Sequence, residues 1–176
     1  LPRNRPTLVL GNTGCGKTIL AMEFLINGIV SFNEPAVFMS FEEKTTELEV
    51  NVRSLGYDLD KHISNNKMYL EHIPIIREET LQTGKYDIEG LFVRLGEAIK
   101  RVNAKRVVLD SLDTLFYGFD QKVLRTEFKR LLTWLKEKQV TTIITGEIKN
   151  AFVTFDGAEI YVADCVIVLD NRVVNQ

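Results

Sequence analysis

Leu8–Leu20 reads LVLGNTGCGKTIL. A short apolar run stops at Gly11, and a second apolar stretch resumes at Ile19. The first run reads as a buried strand and Lys17 onward as a helix. Between them, Gly11, four residues, Gly16, Lys17 and Thr18 fit the pattern G-x-x-x-x-G-K-[ST]. That chemistry needs these residue types. Glycine lets a backbone curl round an anion without Cβ clashes. The N–H groups of Gly11, Asn12, Thr13, Gly14, Cys15 and Gly16, with the start of the helix, point at phosphate. Lys17 adds a cation near the β- and γ-phosphates, and the Thr18 hydroxyl can ligate Mg²⁺. The motif follows a predicted strand and opens a predicted helix, as the mechanism requires; the alternative is a glycine-rich strand–helix turn with no ligand. Cys15 reads as a tolerated small residue whose oxidation would obstruct a nucleotide.

The 176 residues are enough for one domain with a full core, and 45% are hydrophobic against 26% charged. No apolar run approaches the roughly 20 residues of a membrane span. No signal peptide is visible, which predicts a cytoplasmic protein. The net charge of −2 and the lack of a basic stripe argue against a dedicated nucleic-acid binder. KRVNAKR at 100–106 reads as a solvated helix end. Cys15 and Cys165 have no CxxC partner, which suits a reducing compartment rather than a disulfide framework.

Working outward from the loop, strands are predicted at Thr7–Leu10, Ala36–Ser40, Lys67–Ile73, Arg106–Asp110, Thr141–Thr145 and Val166–Leu169. Helices are predicted at Lys17–Val30, with Ile19, Leu20, Phe24 and Ile29 at helical spacing, and at Thr46–Leu55, stopped by Gly56. Two more follow. Asp87–Asn103 has Asp87 as N-cap and Ile88, Leu91, Leu95, Ala98, Ile99 and Val102 on one face. Lys122–Lys138 has Leu124, Phe128, Leu131, Leu132 and Leu135 on its core face. The stretch 74–86 reads as a surface loop. Wholly apolar strands alternating with amphipathic helices predict an α/β fold, a mainly parallel sheet covered on both faces. Ligands then bind at the carboxyl ends of the strands.

Carboxylates stand at those ends. Asp110 closes RVVLD in the Walker B position and would hold the Mg²⁺ shell with Thr18, supported by Ser111. Glu42 and Glu43 follow the second strand, which is expected beside the strand of the phosphate loop. They are either a solvated helix start or an acid that orients attacking water. Thr145 and Glu147 either sense a γ-phosphate or are a strand-end hydroxyl and a solvated acid. His62 and His72 lack metal-ligand spacing, and Trp134 reads as packing at a helix edge.

Five stretches together resemble the KaiC family of RecA-like ATPases: LVLGNTGCGKTILAMEFLINGI, PAVFMSFEE, NVRSLGYDL, KRVVLDSLDTLF and YVADCVIVL. The resemblance covers about residues 1–172. It implies a RecA-like P-loop NTPase fold, Mg²⁺-dependent ATP binding and slow hydrolysis. It also implies a homo-oligomeric hexameric ring, nucleotide clamped between neighbours, and a KaiB-like protein partner. By the same resemblance Glu42 and Glu43 are the catalytic pair, with Glu42 the general base. Gly14–Ile19 match the phosphate-binding stretch, and Ser54 matches a residue near the adenosine.

Departures qualify these expectations. Ile160 and Tyr161 stand where the family's second domain carries its Ser–Thr phosphoacceptors, so autophosphorylation is not expected. The first, hydrolysing domain is the better match. The family's trans-acting Lys and Arg lie beyond the last strand, and a strand usually precedes the loop. One domain over 1–176, truncated at both ends, is therefore expected. The rival readings are a DNA-dependent ATPase of the RecA or DnaB type and a nucleotide-binding regulatory module that does not hydrolyse.

Overall fold

In the computed structural model, which describes residues 1–74, 88–116, 120–147 and 163–171, the strands are where the chain is most apolar. Every residue of β1 (Pro6–Gly11) and β2 (Ala36–Ser40) is buried. β3 (Met68–His72), β4 (Arg106–Asp110), β5 (Thr141–Gly146) and β6 (Cys165–Leu169) complete one sheet in the order β3-β2-β4-β5-β1-β6. Each pairing between neighbours is parallel.

Alternate residues of each strand serve opposite faces. Leu8, Leu10, Val37, Met39, Val107, Leu109 and Ile144 share one cluster with helices α4 (Ile88–Val102) and α6 (Gln121–Glu137). Val9, Phe38, Val108 and Ile143 face α1 (Lys17–Phe32), α2 (Thr45–Arg53) and α3 (Leu59–Ser64). A short α5 (Leu112–Leu115) follows β4. A sheet covered on both faces can use continuous apolar strands, which accounts for the lack of polar alternation in β1, β2 and β4.

The predicted faces of α4 and α6 are the buried ones, with Ile99 only partly covered. In α1 the buried face is Ala21, Met22, Leu25, Ile26 and Ile29. Ile19 is 46% exposed, because the first turn of α1 stands at the loop and clear of the sheet. α2 ends one turn before Gly56, whose N–H donates to Arg53 O at 3.0 Å. α3 has no counterpart among the predicted elements. Asp58 caps it, accepting from the Lys61 N–H at 3.2 Å. Asp87, the loop at 75–86, Ile160 and Tyr161 lie outside the described residues.

Two expectations are corrected. β2 does not neighbour β1, since β4 and β5 lie between them. A crossover constrains the direction of the returning strand but not how many places it skips, and here two later strands fill the gap. Nor is the whole of 100–106 solvated. The Arg106 side chain is only 14% exposed and lies along α1, where it ion-pairs with Glu34 at 2.7 Å and donates to Phe24 O at 2.7 Å. It also stacks over the Phe24 and Phe32 rings, with centroids at 4.6 and 5.3 Å. Trp134 stacks on Phe92 at 5.2 Å between α4 and α6.

Candidate nucleotide site

The loop between β1 and α1 takes its shape from two glycines. Gly14 (φ 78°) and Gly16 (φ 91°) occupy the left-handed region. Among the described residues, a Cβ at either would meet nothing within 4 Å. Gly11 is different. A Cβ there would overlap Cys15 Sγ and lie 2.8 Å from Leu169 O, so Cys15 is packed back against the strand end. The Cys15 N–H donates to Asn12 O at 3.2 Å, closing the turn. The Lys17 ammonium reaches across the loop mouth to Gly11 O and Asn12 O, both at 2.9 Å.

Behind the loop stands Asp110, 7% exposed at the end of β4. The Thr18 hydroxyl donates to its Oδ2 at 2.8 Å, and the Thr145 hydroxyl donates to its Oδ1. Burial raises the Asp110 carboxyl above its ordinary value against the pull of those two hydrogen bonds. The Thr145 hydroxyl is thus held by Asp110 at the end of β5. Glu147, just past β5, accepts from the Thr13 hydroxyl of the loop.

Glu42 and Glu43 reach this site although two strands separate theirs from β1. The link is β4, next to β2: Ser111, which follows Asp110, donates its hydroxyl to Glu42 Oε2 at 3.2 Å. Glu43 is half-buried. Burial, then the charges of Asp110 and Glu47, raise its carboxyl above the usual range, against a hydrogen bond from Asn51. Thr13, Lys17, Thr18, Glu42, Glu43 and Asp110 line one cavity of about 360 Å³. A second groove of about 410 Å³ runs from Gly14, Gly16 and Ile19 to Asn51, Ser54 and Leu55. Ser54 follows α2 and donates its hydroxyl to Asn51 O at 2.6 Å. Every candidate from Gly11 to Ile19, with Glu42, Glu43, Ser54 and Asp110, therefore stands at the same end of the sheet.

Asp113 was not singled out from the sequence. It lies on α5, accepts from the Glu147 N–H at 2.6 Å, and leaves its Oδ1 buried without a hydrogen-bond partner among the described residues. Burial, with a smaller push from the Glu147 charge, moves its carboxyl up to about 6. Only its place three residues after Asp110 hinted at this. His62 on α3 and His72 on β3 belong to no group of three or more ligands that could hold a metal ion among the described residues.

Such a loop at the head of a helix, backed by a buried strand-end carboxylate in a parallel sheet, defines the P-loop nucleotide-binding class with a RecA-like fold. The family model described as "ATPase: KaiC" matches residues 1–176. A circadian clock protein KaiC2 of Synechocystis sp. is 46% identical over 177 residues, covering 100% of this chain and 31% of the relative. Circadian clock oscillator proteins KaiC of Prochlorococcus marinus and Synechococcus elongatus are each 37% identical over 174 residues, 97% of this chain and 34% of the relative. The chain belongs to the KaiC family of ATPases, and it spans about a third of the length of these curated relatives. No helix among the described residues is long and apolar enough to cross a membrane.

Proposed function

We propose that this chain is one RecA-like unit that binds Mg-ATP and hydrolyses it slowly. In this reading it works in the cytoplasm within a homo-oligomeric, hexameric ring, and its nucleotide state governs assembly and the docking of a KaiB-like protein. One observation carries the reading. Lys17, the Thr18–Asp110 pair and the two glutamates share one cavity at the mouth of an anion-binding loop.

The residues present fit the expected cation. Thr18 and Asp110 offer hard oxygen donors, and Mg²⁺ takes few protein ligands when phosphate oxygens supply the rest. Bound there, it would offset charge on the phosphates. The loop N–H groups and the Lys17 ammonium would cradle those phosphates. Glu42, oriented by the Ser111 hydroxyl, would align and deprotonate the attacking water, with Glu43 beside it. Ile19, Leu55 and Ser54 would flank the nucleoside in the second groove.

Phosphate release from Mg-ATP, with and without single-stranded DNA, tests the reading, with Lys17→Ala and Glu42→Gln alongside. Slow release, indifferent to DNA and abolished by both changes, supports it. Strong stimulation by DNA would replace it with a DNA-dependent ATPase. Tight nucleotide binding without release would replace it with a regulatory module.

A further inference from the structure

Glu43 is fixed more firmly than a residue just past a strand needs to be. Its N–H donates to Ser40 Oγ at 3.0 Å, and the Ser40 hydroxyl donates to its carbonyl at 2.6 Å. These contacts hold the main chain only. The carboxylate is held from α2, where Asn51 donates its side-chain amide to Glu43 Oε1 at 2.6 Å. Asp110, Glu47 and Glu42 all place negative charge near that carboxylate. Without an attractive contact, repulsion would turn it away from them and out to water. The Asn51 amide opposes that motion. Asn51 also lines the groove that holds Ser54, whereas Glu43 borders both that groove and the cavity of the phosphate loop.

We propose that Asn51 is a positioning residue: its side-chain amide sets the Glu43 carboxylate for phosphate chemistry, so the helix beside the nucleoside groove aligns the acid pair. The proposal rests on the ATPase reading above. Asn51 touches no reacting atom and acts through Glu43. It is exposed, so its replacement leaves the core intact.

The test is steady-state phosphate release from Mg-ATP across a pH series for the chain and for Asn51→Ala, Asn51→Asp and Asn51→Gln. Misplacing a group of this kind costs roughly tenfold or more. Asn51→Ala should lower kcat roughly tenfold with KM changed less than about twofold, and should move the acid limb of the profile to higher pH. Asn51→Asp should lower kcat further by adding a like charge, and Asn51→Gln should recover part of the loss. Among the described residues, the charged groups facing Glu43 are Glu42 on its own turn, Glu47 on α2 and Asp110 on β4, with Lys17 and Glu147 lining the same cavity. An unchanged kcat and profile in Asn51→Ala, while Lys17→Ala and Glu42→Gln are inactive, overturns the proposal and leaves the ATPase reading standing. If those two controls turn over like the parent chain, the ATPase reading fails. A carbon-13 titration of the Glu43 carboxyl then decides the contact alone: a higher midpoint in Asn51→Ala supports it, and an unmoved midpoint overturns it.

Discussion

The hydroxyl of Thr18 donates to the Asp110 carboxylate at 2.8 Å, tying the first turn of α1 to the end of β4. The pair places a buried negative charge where folding alone gains nothing from it. Desolvation disfavours ionised Asp110, and two hydroxyls offset only part of that cost. Asp110→Asn keeps the shape and removes the charge. Its Tm at neutral pH should equal or exceed that of the parent chain. Its Mg²⁺-dependent nucleotide affinity should fall at least roughly tenfold. Thermal melts and titration with a fluorescent nucleotide check both; a lower Tm would mean that the charge stabilises the fold.

Gly16 should resist alanine for reasons of backbone and not of space. Among the described residues nothing lies within 4 Å of a Cβ built there, yet φ is 91°. A left-handed conformation costs an L-residue about 1–2 kcal/mol. Gly16→Ala should lose about that much stability in denaturant titration, or relax the loop and lose nucleotide binding at unchanged stability. Full stability together with parental affinity would contradict the strain.

Asp113 should make stability depend on pH in a particular direction. Its folded-state value is pushed up to about 6 from an ordinary 3.8. The folded chain therefore binds this proton more tightly than the unfolded chain does. The resulting stabilisation is complete below about pH 4 and is lost as pH rises through about 6. Asp113→Asn should flatten that part of the curve, and its Tm advantage over the parent should grow from pH 4 to pH 7. A constant Tm difference across that range would refute the assignment.

Gly28 makes room for the Arg106 side chain. A Cβ there would overlap the Arg106 Cδ and Nε and lie 2.7 Å from its Cζ. That guanidinium is anchored by Glu34 and Phe24 O, so it cannot swing aside without losing charge-assisted hydrogen bonds. Alanine's better helix propensity returns about 1 kcal/mol. The expected net loss for Gly28→Ala is about 1–2 kcal/mol by chemical denaturation. In an Arg106→Ala background the same change should be neutral or stabilising.

What could be read from the sequence follows the range of the forces involved. β2 and β4 are legible to the residue because a strand buried on both faces must be apolar throughout. The phosphate loop is legible because its chemistry is packed into contiguous residues. α3 is only six residues long, too short to show a period, and its signal was the single cap Asp58. Strand order escaped altogether: no pattern within Ala36–Ser40 says that β4, and not β1, lies beside it. Asp113 and Asn51 were missed for a related reason. Each acts on a partner chosen by the fold, Glu147 across two strand ends and Glu43 at the far end of a helix.

The pairing of β1 also bears on how the protein is made. Pro6 sits opposite Thr142, and Thr7 opposite Cys165. Among the described strands, β1 pairs only with β5 and β6, both far along the chain from it. β2, β3 and β4 can associate with one another while synthesis continues, but among the described strands β1 has none to join until β5 has emerged. Contacts this distant in the chain form slowly. The phosphate loop is thus seated in its sheet, and able to cradle a nucleotide, only after β5 has left the ribosome.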